Sequence, residues 1–304
     1  MEIQREISGK TILITGATSG IGKAIALKFA ELGFNLILIA RNEEKTKKVI
    51  HEIAHVTQNI NLKYYIADLS ILNEVHKVGK VIASENPIID VLINNAGVYS
   101  VRRIETIEGN ELTFATNYLS PFLLTHTLLP SLCNSEDALI LNVSSSAHFF
   151  GSVHWNDLGI RKRWFGFKAY GQSKLLINLF TNHLARKLQG TPIRVNAIHP
   201  GIVKTDLGGV KKKKSLKKSE TLMNWILSKF GITPDQSAQA FVNIATKSKF
   251  IGISGKYLLL DKIVRSSLKS RIKKTQKKLW VITSTILYQT LKNELKIEPI
   301  NVCH

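Results

Sequence analysis

The stretch Lys10-Thr-Ile-Leu-Ile-Thr-Gly-Ala-Thr-Ser-Gly-Ile-Gly22 decides how the rest of the chain is read. Thr11–Thr15 is short, apolar and β-branched, as a strand buried on both faces must be. Gly16, Gly20 and Gly22 follow at once, and Lys23–Leu32 then places apolar residues at helical spacing. Strand, glycine turn and helix make the setting that a dinucleotide phosphate requires. Glycine permits a tight turn and close backbone approach, and free N–H groups at a helix N-terminus face the anion. An ordinary strand-to-helix turn has the same outline, since three glycines alone carry little weight.

Beyond this stretch, strand-like and helix-like segments alternate. Asn35–Ala40, Leu62–Ala67, Asp90–Ile93, Ala138–Val143, Arg194–Ile198 and Gly255–Leu260 read as further strands. Helices are expected at Glu43–Val56, Ile71–Ser84, Glu111–Leu132, Gly166–Leu188 and Thr233–Lys247, the last with Pro234 in its first turn. The pattern predicts an α/β protein with a doubly wound parallel sheet of about seven strands flanked by helices. With 304 residues, 44% of them hydrophobic, and no Pro/Ser-rich linker, a single domain is expected.

Cys133 and Cys303 are the two cysteines. They form no paired motif, which suits a reducing compartment and argues against a zinc site. Met1–Lys10 has no apolar core and does not read as a signal peptide. The chain holds no run of about 18 apolar residues, so no spanning segment is expected. Together these features predict a cytoplasmic, non-secreted protein. The net charge of +20 is unevenly placed. Lys211–Lys218 holds six lysines, and Asp261–Lys278 holds eight basic residues against one acid.

Several positions carry candidate chemistry. An NAD-preferring site places a carboxylate at the end of the second strand, but here Ala40 stands there and Arg41 follows. A guanidinium can pair with a ribose 2′-phosphate, so NADP(H) is the expected cofactor; a solvated surface arginine is the alternative. Asp68-Leu69 closes the third strand, where an aspartate also serves as a helix cap. Asn117 lies among apolar neighbours and is either a satisfied core amide or a placed functional group. Pro121, four residues on, removes a helical N–H and can open the helix near Asn117. Tyr170 and Lys174 are four apart on one helix face. An ammonium beside a phenol favours the phenolate and lowers a value that is ordinarily near 10. A solvated pair with a packed tyrosine remains the plainer alternative.

Taken together, Thr15-Gly-x-x-x-Gly-x-Gly22, Asn94-Asn95-Ala96-Gly97 and the set Asn117, Ser145, Tyr170 and Lys174 resemble the short-chain dehydrogenase/reductase family. The resemblance covers about Gly9–Tyr257 and implies a Rossmann-type fold. It implies that Tyr170 exchanges a proton with the substrate oxygen and that Ser145 hydrogen-bonds that oxygen. Lys174 would lower the tyrosine pKa and hold the nicotinamide ribose, and Asn117 would fix a water linking Lys174 to solvent. Ser145 is chosen over Ser144 and Ser146 by alignment. For the cofactor the resemblance implies Gly16, Ser19, Gly20, Ile21, Gly22, Arg41, Asp68 and Leu69 at the adenosine and phosphates. Asn95, Ala96, Gly97, Tyr170, Lys174, Pro200, Gly201, Val203 and Thr205 would line the nicotinamide end. No metal is implied.

Within the family the chain resembles the retinol dehydrogenase-like branch through Asn142–His148, the insertion before Tyr170, Pro200-Gly-Ile-Val203, Ser254-Gly-Lys-Tyr257 and Lys278-Leu-Trp280. The implied activity is an NADPH-linked carbonyl reductase or alcohol dehydrogenase acting on an apolar retinoid, steroid or lipid aldehyde. A catalytically inactive NADP-sensing or scaffold protein is the alternative. The lysine run lacks the aromatic interleaving of a nucleic-acid binder, and oligomeric state stays open, a homodimer included.

Leu207–Gly231 falls where this family places a substrate lid. In it, Met223, Ile226, Leu227 and Phe230 make an apolar stripe behind the lysines. In the basic extension 261–304, Val264, Leu268 and Ile272 repeat every fourth residue among basic ones. Both patterns fit peripheral binding to an anionic membrane, or stripes that pack on the protein's own core.

Overall fold

The computed structural model describes residues 7–203 and 231–291. Its centre is an eight-stranded sheet in the order β3-β2-β1-β4-β5-β6-β7-β8. The strands are β1 Thr11–Thr15, β2 Asn35–Ala40, β3 Leu62–Ile66, β4 Val91–Asn94, β5 Ala138–Val143, β6 Ile193–His199, β7 Tyr257–Leu259 and β8 Lys262–Val264. The first seven are parallel, and β8 returns antiparallel to β7, pairing Leu258 with Ile263. The order reverses between β1 and β4, which opens a crevice at their carboxyl ends.

Alternation along β1 explains the layers. Ile12 and Ile14 point to one face with Ile25 and Phe29 of α1 (Gly20–Glu31), Val49 and Ile53 of α2 (Glu43–Thr57) and Phe241. Leu13 points to the other face, which is covered by α3 (Leu72–Glu85), α5 (Ser120–Cys133) and α6 (Gly166–Lys187). Such strands, apolar on both faces, are what a sheet buried on both sides requires. On the α1 face lies α7 (Pro234–Thr246), capped by a reciprocal pair between Thr233 and Gln236.

The long helix expected over Glu111–Leu132 is interrupted. After a short turn, α4 (Leu112–Phe114), the backbone widens over Ala115–Leu119, and the Ser120 N–H reaches five residues back to the Ala115 carbonyl. Pro121 has no N–H to give the Asn117 carbonyl, and its ring would crowd that turn, so the wider turn accommodates both.

Two features differ from the sequence reading. β8 adds an eighth strand, exposed along its length, within the segment read only as a basic extension. The residues Val264, Leu268 and Ile272 form no common stripe: they lie at the end of β8, in α8 (Leu268–Arg271) and at the residue before α9 (Lys273–Thr290). All three are exposed and do not pack on the core. The fourfold spacing misled because a strand, a turn and a helix start do not share a helical period. α9 instead buries Leu279, Thr283 and Leu287. Its Trp280 packs against Phe122, His126, Phe180 and His183. Residues 204–230, with Thr205, the lysine run and the Met223–Phe230 stripe, lie outside the described residues, as does Cys303.

Candidate active site

The turn after β1 is built for close approach. Gly16 has φ +69°, and a Cβ there would come within 2.9 Å of Ala96 Cα. A Cβ on Gly22 would collide with the Gly16 carbonyl and the Asn95 amide. Ser19, before α1, is extended and makes no side-chain cap, and no acidic residue occupies the first turn. The first N–H groups of α1 therefore have neither an intrahelical partner nor a capping side chain. A backbone cradle with uncapped donors fits a pyrophosphate.

The Asn-Asn-Ala-Gly segment ties this turn to the sheet. Thr15 Oγ1 accepts from the Asn95 and Ala96 N–H groups, both at 3.0 Å. Asn95 Nδ2 donates to the Thr15 carbonyl at 2.9 Å and the Gly16 carbonyl at 3.2 Å. Asn94 donates to Asn142 Oδ1 at 2.8 Å, and Asn142 donates to Thr181 at 2.9 Å. A groove of about 560 Å³ runs from Gly16, Ser19, Gly20, Ile21 and Gly22 past Arg41, Asp68 and Leu69 to Asn95, Ala96 and Gly97. Its walls also include Ala40, the position read as lacking the NAD carboxylate, and Thr18, Val98 and Thr116, which sequence reasoning passed over. Arg41 is 75% exposed, with its guanidinium 3.7 Å from Asp68 Oδ2. Asp68 Oδ1 accepts from the N–H and the hydroxyl of Ser70.

A second cavity, of about 110 Å³, shares Ile21, Asn95 and Gly97 with the groove. Ser145, Tyr170, Lys174, Pro200, Gly201 and Val203 line it, together with His199, which sequence reasoning missed. Ser145 leaves the end of β5 and caps the turn Ser146–Phe149 by accepting from the Ala147 N–H. Ser144 is buried and turns its hydroxyl to the Lys174 carbonyl. His148 Nδ1 sits 2.6 Å from the Ser145 carbonyl, and its Nε2 accepts from the Ser267 N–H.

Tyr170 and Lys174 rise from the first half of α6. Lys174 is 4% exposed, and its Nζ donates to the Val143 carbonyl at 2.9 Å. Burial pulls its pKa down to about 8. The ammonium lies 5.5 Å from the centre of the Tyr170 ring. Burial raises the Tyr170 hydroxyl above its ordinary value, and a hydrogen bond with Ser145 draws it partly back. The lowering by Lys174 expected from sequence does not appear, because desolvation of the phenol outweighs it and the ammonium is engaged by a carbonyl. Asn117 is a fully engaged amide: Oδ1 accepts from the Val98 N–H at 2.8 Å, and Nδ2 donates to the Val98 carbonyl and Ser173. Asn117 Oδ1 and Lys174 Nζ both lie within 4 Å of the position a Cβ on Gly97 would take.

The family model described as short chain dehydrogenase matches residues 10–216. The chain belongs to the short-chain dehydrogenase family. Retinol dehydrogenase 13 of Homo sapiens is 39% identical over 255 residues, covering 83% of this chain and 76% of that protein. Within the family the chain falls in the retinol dehydrogenase-like branch. A crystal structure of a protein from Mycobacterium paratuberculosis is 27% identical with a TM-score of 0.71, covering 93% of this chain and 96% of that one. A short chain dehydrogenase from Shigella flexneri, solved in complex with NADP, is 23% identical with a TM-score of 0.65 over 84% of this chain and 98% of that one, a likeness of fold. As a family member the chain is an oxidoreductase.

Proposed function

We propose that this short-chain dehydrogenase uses NADP(H) to interconvert an apolar carbonyl compound, of the retinoid, steroid or lipid aldehyde class, and its alcohol. The observation that carries the reading is the convergence of Ser145, Tyr170 and Lys174 on a cavity that shares a wall with the glycine-turn groove. When bound, the nicotinamide supplies or accepts the hydride. Tyr170 keeps its proton at neutral pH and gives it to the oxygen of the carbonyl being reduced. Ser145 holds that oxygen within reach of the phenol. Lys174, charged below about pH 8, sits behind the ring as a source of positive charge and protons. Asn117 fixes Val98 and so the floor beside Lys174.

The preference for NADP(H) rests on Arg41, on the missing carboxylate at Ala40, and on the NADP bound by the similar Shigella protein. The apolar substrate class is supported by the name of the human relative. Among the described residues no helix is long and apolar enough to cross a membrane. We extend the reading to peripheral attachment at an anionic membrane, where such substrates dissolve. Following NADPH and NADH absorbance with retinal and a panel of aldehydes and ketones tests the activity. NADPH-linked turnover at least about tenfold above the NADH-linked rate is expected. No turnover with either cofactor across the panel would leave a cofactor-sensing protein on the same fold.

A further inference from the structure

Six exposed apolar side chains lie on segments next to the Ser145 and Tyr170 positions. Phe149 and Phe150, just after the Ser145 turn, are 48% and 75% exposed; Phe165 and Phe167, just before Tyr170, are 63% and 42% exposed. The rings of Phe150 and Phe167 lie 5.9 Å apart, so the two segments share a surface. α8 joins them: Lys269 Nζ donates to the Gly151 carbonyl at 2.9 Å and reaches Ser152 Oγ at 3.2 Å. Beside Lys269, Leu268 is 74% exposed, and Ile272 follows at 51%. A single exposed apolar residue needs no explanation. Six on adjoining segments, flanking Ser145 and Tyr170 of the second cavity, mark an interaction surface.

The charge on these segments says what that surface meets. Arg161, Lys162, Arg163 and Lys168 precede or interleave with the phenylalanines, and Lys269, Arg271, Lys273 and Lys274 surround Leu268 and Ile272. None of the eight enters an ion pair among the described residues. From Phe149 to Lys168 the one acid is Asp157, which accepts from the Lys162 N–H, and from Lys262 to Lys278 there is none. Apolar tips set in a predominantly cationic frame complement a bilayer of anionic lipid: rings and aliphatic chains enter the acyl boundary while ammonium and guanidinium groups meet the headgroups. A nucleic acid would meet the cations and stack bases on the phenylalanines, but it would leave the aliphatic Leu268 and Ile272 nothing to bury against.

We propose that the face formed by Phe149, Phe150, Phe165, Phe167, Leu268 and Ile272 with its basic frame docks on an anionic membrane and turns the mouth of the Ser145–Tyr170–Lys174 cavity towards the bilayer. The proposal rests on the oxidoreductase reading only for what passes through that mouth; the surface itself is tested without turnover. Cosedimentation compares vesicles of phosphatidylcholine alone with vesicles that also contain phosphatidylserine, at low and moderate salt. Wild type is expected to bind the serine-containing vesicles and to be released as salt screens the charges. The triple variant Phe150→Ser, Leu268→Ser, Ile272→Ser and, separately, the charge variant Lys269→Gln, Arg271→Gln, Lys273→Gln, Lys274→Gln should each bind at least about tenfold more weakly. Both variants should turn over a water-soluble short-chain aldehyde as wild type does, so that loss of docking is separate from loss of chemistry. Equal recovery in the supernatant with both lipids, or undiminished binding in either variant, overturns the proposal. It is equally overturned by a concentration-dependent dimer in light scattering that the triple variant abolishes while vesicle binding persists.

Discussion

Between β1 and β4 the crevice is shaped by main chain, whereas between β5 and β6 it is furnished with side chains. On the first side Gly16 and Gly22 let the turn close against Ala96 and Asn95, and Thr15 and Asn95 spend their hydrogen bonds on backbone. On the second side the groups that face the cavity have displaced proton affinities. Burial raises Tyr170, lowers Lys174 to about 8, and lowers His199 to about 4. The contrast teaches where a substitution should register: in affinity on the first side, in turnover on the second.

The sharpest way to break that contrast is Tyr170→Phe. Removing a positioned general acid should lower kcat by about a thousandfold or more while NADPH affinity, read by fluorescence titration, stays at the wild-type value. A parallel loss of affinity would mean that the two sides are not separable. Next comes the pH profile. Burial disfavours the Lys174 ammonium, so it holds its proton below about pH 8 and loses it above. kcat/KM for carbonyl reduction should therefore be flat below that value and fall about tenfold per pH unit above it. Lys174→Arg, which stays charged, should remove the falling limb even where it lowers the rate. A profile that is level through pH 9 would take Lys174 out of the charge balance.

Smaller effects sharpen the first side. Arg41→Asp should shift the NADPH-to-NADH preference by at least about tenfold, because a charge-assisted contact to phosphate is lost and a repulsion is gained. Its kcat with the better cofactor should hold, and a wild type indifferent to the cofactor would leave Arg41 as a surface residue. The smallest effect belongs to neither side. Thr283→Val removes the buried hydrogen bond to the Tyr118 hydroxyl at 2.7 Å and should cost about 1 kcal/mol in denaturant unfolding. Unchanged stability would mean that the phenol finds another partner.

The glycine turn, Asn94–Gly97 and the Tyr170–Lys174 pair were legible because each motif lies within one element, where spacing fixes geometry. The wide turn at Asn117 was legible from Pro121, whose missing N–H is a local fact. Burial is not local, and it escaped. Tyr170 rises although its lysine neighbour should lower it, since desolvation depends on elements far apart in sequence. His199 joined the cavity only once β6 was placed beside β5. β8 and α9 were hidden for different reasons: β8 is only three residues long, and lysines on the outward positions masked the Leu279, Thr283, Leu287 face of α9.

α9 also sets an order of events. Its Trp280 covers Phe122 and Phe180, and its Thr283 pairs with Tyr118, the neighbour of Asn117. A chain emerging from the ribosome presents its N-terminal elements first. The glycine turn can close against Asn95 and Ala96 once β4 has been made, and Asn117, Ser145, Tyr170 and Lys174 have all emerged by Lys174. The helix pair that holds Asn117 and Lys174 nevertheless stays bare on its outer side until the last described helix arrives. Nascent chains should therefore acquire a cofactor-binding half well before they acquire a settled proton donor, and chains cut short before Lys273 should remain in that half-made state.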